Sequence, residues 1–205
     1  MASRSLSMAL AVALLCGCAP SRHRDGTAPI GGGTPAIPGD VAVATTLFLD
    51  GGQRLLRAAG DDEGQARAGR ALTVVLERRV VVDSDLTAAA QVARDAERVV
   101  SDRDLLERTD LAEVTHAAAR IGAATFLQRR AIDRAERASA GTLQRLTNLG
   151  HARDRALLAS RAPANLRSMQ AITRTLFAFL RARGVDPMPE VERTLSDVAS
   201  GAQPV

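Results

Sequence analysis

The segment from Asn165 to Gly184, NLRSMQAITRTLFAFLRARG, has the strongest amphipathic pattern in the chain. Its apolar side chains recur at steps of three and four residues, the spacing that places them on one face of an α-helix. Pro163 precedes the segment, Asn165 is expected to cap the helix, and the pattern stops at Gly184. The sequence therefore predicts a helix here, and its inward residues are expected to be Leu166, Met169, Ile172, Thr173, Leu176, Phe177 and Leu180.

The same helical period continues on both sides of this segment. No proline interrupts the chain between Pro38 and Pro163. The alternation of polar and apolar residues that is typical of strands is missing, and Val80–Val82 is the only run that favours β-structure. The sequence predicts an all-α domain over residues 40–200, an antiparallel bundle of five to seven helices, followed by a disordered tail at residues 201–205.

Several polar residues mark where the predicted helices begin. Candidate starts are Ser84 or Asp85, Ser101 with Asp104, Asp110 with Glu113, and Asp186-Pro187. The longest periodic region, residues 110–160, would make a helix of about 75 Å if it were continuous. We therefore expect a break between Ser139 and Thr142. Residues expected to face inward elsewhere include Leu72, Val75, Leu76, Met188, Val191, Leu195 and Val198.

The first eighteen residues have the order of a secretory signal. Arg4 comes before the apolar run Leu6–Leu15, which is shorter than the roughly 20 residues that a membrane-spanning helix needs. The run ends in Leu15-Cys16-Gly17-Cys18, which resembles the lipobox of bacterial lipoproteins. Cys16 departs from the Ala, Ser or Thr that is usual at its position. The resemblance is limited to these eighteen residues. For the rest of the chain the sequence indicates no particular family.

The resemblance implies a lipid anchor. Residues 1–17 would be removed as a signal peptide, and Cys18 would carry a diacylglycerol and usually a third acyl chain. Two or more chains hold a protein stably on a bilayer without spanning it. The residue after the lipidated cysteine is Ala19, and an Asp at this position would favour the inner membrane. By the same resemblance, an Ala here implies an outer-membrane location facing the periplasm if the host is Gram-negative. Residues 18–39, rich in proline and glycine, are expected to form a flexible tether.

Charge is unevenly distributed along the chain, in which all 27 basic residues are arginines. Residues 40–119, the acidic segment, have a net charge of −5, whereas residues 120–183, the arginine-rich segment, have a net charge of +10. Either the two segments pair with each other, or the arginine-rich segment presents a basic surface to anionic lipid, lipopolysaccharide or cell-wall polymer. The candidate contact residues are Arg129, Arg130, Arg134, Arg137, Arg145 and Arg153.

The sequence offers little chemistry for catalysis. Without the signal peptide only one cysteine remains, so there is no disulfide and no thiol pair for metal or redox chemistry. Asp110, Glu113 and His116 stand at three-residue steps, and a capped first helical turn explains them better than a partial metal or acid–base site. We predict no catalytic residue, no metal site and no cofactor, and hence a protein that is not an enzyme.

Two functions follow from these features. The first is an envelope lipoprotein that acts as an assembly, adaptor or scaffold component through contacts of its helix faces, with an unidentified protein partner. The alternative is a module that binds an anionic surface through the arginine-rich segment. A small envelope hydrolase or inhibitor ranks below both. Nucleic acid is not an expected partner, because the chain is exported and has four Phe, no Tyr and no Trp to stack on bases.

Overall fold

The computed structural model describes residues 39–78, 80–140 and 148–201. These residues form eight α-helices and no β-strand, which confirms the predicted all-α class. The predicted signal peptide, Cys18, the tether up to Pro38, Arg145 and the tail beyond Gly201 lie outside the described residues. The helices are α1 (Gly39–Ala58), α2 (Asp62–Arg78), α3 (Asp83–Ser101), α4 (Arg103–Arg108), α5 (Leu111–Ala140), α6 (Asn148–Ala159), α7 (Ala162–Ala182) and α8 (Met188–Ala199).

The predicted five to seven helices are too few because of α4. Asp102 leaves the helical conformation, with φ −90° and ψ 97°, and so ends α3. Its Oδ1 then accepts a hydrogen bond of 3.0 Å from the backbone N–H of Leu105, which caps the new helix. The predicted cap at Ser101 is therefore wrong by one residue.

Helix α1 lies at the centre of the core. It packs against α5, α2 and α3, so it is buried on more than one side. Leu47, Leu49 and Leu56 are fully buried, and so are Val41, Ala44 and Leu55. The helix ends where Gly60 adopts a φ of +74° and the N–H of Asp61 donates to the carbonyl of Leu56 at 2.9 Å. This terminus turns the chain back into α2.

The junction of α2 and α3 is held by Asp85. Neither Ser84 nor Asp85 is the N-cap residue of α3, because the helix begins at Asp83 after an extended Val82. The Asp85 carboxylate instead reaches back and accepts a hydrogen bond of 2.9 Å from the N–H of Val82. It also pairs with Arg78 at the end of α2, at 3.0 Å. The chain between these helices forms no strand among its described residues.

Helices α5 and α6 are separate, and α6 packs against α5. Helix α5 is described as far as Ala140 and α6 from Asn148, so Gly141 and Thr142 of the predicted break lie outside the described part of the chain. The inward face of α5 follows the predicted period. Its buried residues include Val114, Ala118, Ile121, Gln128, Ile132 and Ala135.

Helix α7 carries the predicted apolar face, and polar bonds fix its first turn. Leu166, Met169, Ile172, Leu176 and Leu180 are buried. The helix begins at Ala162, with Pro163 in its first turn, four residues earlier than a cap at Asn165 would place its start.

The expectation that Asn165 caps α7 is therefore wrong. The Asn165 side chain is buried and donates to the carbonyl of Leu86 in α3 at 2.8 Å. From the other side, the Gln128 amide donates to the carbonyl of Ala162 at 2.7 Å. These two bonds join α7 to both α3 and α5, because a buried polar side chain has to find a partner inside the core.

Two residues that were expected to face inward are exposed. Leu76 on α2 and Met188 on α8 each keep 37% of their surface accessible. Val75, which was also expected to face inward, is buried, so the prediction for α2 is wrong at Leu76 and correct at its neighbour. At α8, Asp186 accepts a hydrogen bond of 3.1 Å from the N–H of Met188, as its predicted role at the helix start requires, and Val191 is buried.

Candidate functional site

Four of the six predicted contact arginines lie close together on α5. Arg129, Arg130, Arg134 and Arg137 are all exposed, on the C-terminal half of the helix. At 100° per residue, these spacings place the four Cα atoms within about half of the helix circumference. We call this side of the helix the α5 basic face. Helix α5 thus brings together the residues that the helical spacing predicted.

The other two predicted arginines are placed differently. Arg153 is exposed on α6, the helix that packs against α5. Arg145 lies in residues 141–147, outside the described part of the chain. The α5 basic face is therefore the part of the predicted surface that the structure defines.

Few carboxylates neutralise the α5 basic face. Arg129 pairs with Asp133 on its own helix at 3.6 Å, and Arg134 pairs with Asp40 of α1. Arg130 and Arg137 form no ion pair with a described carboxylate, although the Arg137 Nε donates to the carbonyl of Asp133 at 3.0 Å. Exposed ion pairs are weak and exchange readily with other anions. The face is therefore available to an external anionic group.

The acidic segment is paired mainly with its own arginines. Asp85 pairs with Arg78, and the buried Asp95 pairs with both Arg67 and Arg98. The hydrogen bond with Asp95 raises the pKa of Arg67 above its ordinary value. Three ion pairs between described residues join the acidic segment to the arginine-rich segment, namely Asp50–Arg120, Asp40–Arg134 and Glu107–Arg183. Pairing between the segments is thus limited.

Most of the remaining arginines in the arginine-rich segment are directed to solvent. Six of them are exposed and have no described carboxylate within 4.0 Å. They are Arg153, Arg155, Arg161, Arg167, Arg174 and Arg181. Of the two alternatives that the sequence left open, this geometry favours the outward basic surface.

The sequence analysis missed Phe126, a large apolar side chain on the same side of α5. Its residue surface is 53% exposed, more than any other large hydrophobic residue in the described chain. It lies one turn before Arg129 and Arg130. The signal was present in the pattern, because Phe126 falls out of phase with the buried positions Ile121 and Gln128.

One long-range contact places the start of the domain beside this surface. Asp40 is the second residue of α1, and its carboxylate accepts a hydrogen bond from Arg134 on α5. The two residues are 94 positions apart. The first described residues, Gly39 and Asp40, therefore lie next to the α5 basic face.

The structure assigns Asp110 to helix capping. Its Oδ1 accepts hydrogen bonds from the N–H groups of Ala112 at 2.7 Å and Glu113 at 3.2 Å. Glu113 and His116 are exposed on the first turns of α5. Among the described residues, no group of three or more His, Cys, Asp or Glu side chains is arranged to hold a metal ion. The hydrogen bonds that Asp110 accepts from Ala112 and Glu113 confirm the capped first turn predicted from the sequence.

A shallow cavity of about 280 Å³ lies where α1 ends, between α3 and α4. Its charged lining includes Asp61, Arg98 and Asp102. Arg98 pairs with Asp61 at 2.8 Å and with Asp95 at 3.4 Å, while Asp102 caps α4. Because these groups already have partners within the fold, the cavity offers structural contacts rather than groups poised for a ligand.

The part of the chain that the structure describes contains no helix with both the length and the hydropathy needed to cross a membrane. Comparison of the chain with protein-family models, with curated proteins and with solved structures found no match.

Proposed function

We propose that this chain is a non-catalytic envelope lipoprotein, anchored by acylation of Cys18, whose arginine-rich segment binds an anionic surface. The observation that supports the proposal is the outward direction of these arginines, of which the acidic segment neutralises few. The helices would serve as an antiparallel scaffold that holds the charges in place. The ligand chemistry is a surface of phosphate or carboxylate groups, as on anionic lipid, lipopolysaccharide or cell-wall polymer.

Simple energetics fit a binding module of this kind. Cationic side chains near an anionic membrane contribute on the order of 1 kcal/mol each, so several acting together give measurable but reversible binding. Arginine also suits this role because its planar guanidinium can bind phosphate oxygens in pairs. A lipid anchor would supply the permanent attachment, and the arginine surface would add contacts whose strength falls with salt.

The test is vesicle flotation with the polypeptide that begins at residue 18 and carries Cys18→Ser, so that no acyl chain contributes. We expect it to float with vesicles of phosphatidylglycerol and phosphatidylcholine, and not with phosphatidylcholine alone. A triple variant that loses three positive charges carries Arg129→Gln, Arg130→Gln and Arg137→Gln. Its binding to the vesicles should be about tenfold weaker or more at low salt, because about three favourable contacts are removed.

The matched control removes the same charge from the acidic segment. Arg57→Gln, Arg70→Gln and Arg108→Gln change three arginines that are exposed and unpaired among the described residues. This variant should keep most of the binding. Equal losses in both variants, or binding that persists at about 1 M salt, where the Debye length is near 3 Å, would contradict the proposal.

A second candidate is the adaptor function. The end of α2 and the connection after it expose three aliphatic side chains within seven residues, Val74, Leu76 and Val80. Apolar side chains in such a position suit a protein partner better than a phosphate surface. An envelope protein crosslinked to the native chain, retained at high salt and lost in the variant Val74→Asp with Val80→Asp, would favour this function.

A further inference from the structure

We propose that the α5 basic face and Phe126 dock on the same bilayer that holds the lipid anchor of the chain, on its anionic phospholipids. The inference rests on the proposed function, because it needs acylated Cys18 and an arginine surface that binds anions. It goes further by naming the surface, the contact residues and the orientation of the domain. Arginine side chains would contact lipid phosphates while Phe126 enters the boundary between headgroups and acyl chains.

The first step is the position of the tether. Asp40 at the start of α1 pairs with Arg134, so the chain arriving from Cys18 meets the domain beside the α5 basic face. About 20 residues separate Cys18 from α1, a length that spans about 25 Å as a flexible coil and at most about 70 Å when extended. The anchor therefore keeps this side of the domain within reach of the bilayer surface.

The second step is the composition of the face. At 100° per residue, Phe126, Arg130 and Arg137 lie within about 40° of one another around α5. Proteins at a membrane interface combine apolar side chains that enter below the headgroups with Lys and Arg that stay among them. On α5 an exposed aromatic ring lies beside the arginines, so one side of the helix offers both kinds of contact. A bilayer supplies an apolar phase for Phe126 and phosphate groups for the arginines within one surface.

The third step is the strength of the contact. Asp133 and Glu136 share the stretch from residue 126 to residue 137 with four arginines, which leaves it a net charge of +2. A face of this charge binds weakly as a free domain. When the tether holds it near the membrane, the effective concentration reaches the millimolar range, and weak contacts then suffice to orient the domain. The anchor retains the protein, and the face decides which side lies on the lipid.

The experiment uses the absence of tryptophan from the chain. The acylated protein carrying Phe126→Trp is reconstituted in vesicles of phosphatidylglycerol and brominated phosphatidylcholine. We expect bromine to quench its fluorescence at least twofold more than that of a Val74→Trp control, which puts the probe at an exposed position on α2. Adding Arg130→Gln and Arg137→Gln, or omitting phosphatidylglycerol, should remove at least half of that difference.

Quenching that is equal at the two probe positions, or equal in neutral and anionic vesicles, would overturn this inference. The proposed function is judged separately, by flotation of the chain that has no anchor. One outcome is flotation that depends on the arginines but no excess quenching for Phe126→Trp. This outcome would contradict docking on the anchoring bilayer and would still support the proposed function. Excess quenching without flotation would support docking and contradict anionic binding by the free domain.

Discussion

At the scale of single residues, Gly51 determines how closely α1 approaches α5. A Cβ atom at Gly51 would lie 2.8 Å from the Ile121 side chain and 3.0 Å from the backbone oxygen of Ala117. A backbone oxygen cannot turn aside as a side chain can. The central helix pair therefore depends on a residue without a side chain at this position, and the packing of the core on this position can be tested directly.

The added Cβ atom of Gly51→Ala should overpack the core, which usually costs about 1–3 kcal/mol. Alanine regains about 1 kcal/mol of helix propensity, so we expect a net decrease of up to about 2 kcal/mol in the free energy of unfolding. The control is Gly69→Ala in α2, where the nearest atom is the flexible amide end of Gln53, at 2.9 Å. Urea unfolding followed by circular dichroism should show Gly51→Ala less stable than Gly69→Ala; the reverse order would show that the helices separate without cost.

At the scale of helices, Glu107 joins α4 to the end of α7. Its carboxylate accepts a hydrogen bond of 2.9 Å from Arg103 and pairs with Arg183 at 3.6 Å. The hydrogen bond with Arg103 and the attraction of both arginines lower the pKa of Glu107. This is an exposed contact, so its effect is best measured through pH rather than through the total stability.

The lowered pKa fixes the direction of the pH dependence. A carboxyl group whose pKa is lower in the folded state contributes stability above its unfolded pKa and loses that contribution as the pH falls through the folded pKa. The native chain should therefore exceed Glu107→Gln in free energy of unfolding at pH 7, and the difference should shrink between about pH 5 and pH 3. Arg103→Gln removes the main cause and should flatten the difference. A difference that grows on acidification would contradict this assignment.

The helical period predicted the secondary structure well and the boundaries and phases less well. It identified the buried faces of α5 and α7, because regular spacing repeats over many turns in both. It failed where one side chain decides the outcome, as with Asp102, which starts α4, and Asn165, which bonds to α3 instead of capping α7. It misplaced Leu76 because α2 buries only a narrow side, and the packing of neighbouring helices sets that phase.

The candidate site was predicted in part. Helical spacing alone grouped the four arginines of the α5 basic face, because residues three and four apart share a side of any helix. Whether those arginines are paired or exposed depends on which helices lie next to α5. The spacing of residues within one helix does not predict its neighbours. The contact between Asp40 and Arg134 joins residues 94 positions apart, and only the folded chain reveals it.

At the scale of the whole molecule, the exposed arginines of α5 lie next to the first described residues of α1. The acidic segment forms most of its ion pairs with its own arginines, so many arginines of the arginine-rich segment have no carboxylate partner among the described residues. Asp40, the second residue of α1, pairs with Arg134 within that segment. Together with the proposed acylation of Cys18, this arrangement is the basis for the orientation on an anionic membrane that we propose.

The central claim is that Cys18 anchors this protein, and the intact mass of the protein extracted from bacterial envelopes tests it most directly. The account predicts a polypeptide that begins at Cys18 and carries the added mass of a diacylglycerol, with or without a third acyl chain. The Cys18→Ser variant should lack that added mass. A native chain that retains residues 1–17, or one cleaved elsewhere without acyl chains, would contradict the anchor and remove the basis for docking on the anchoring bilayer.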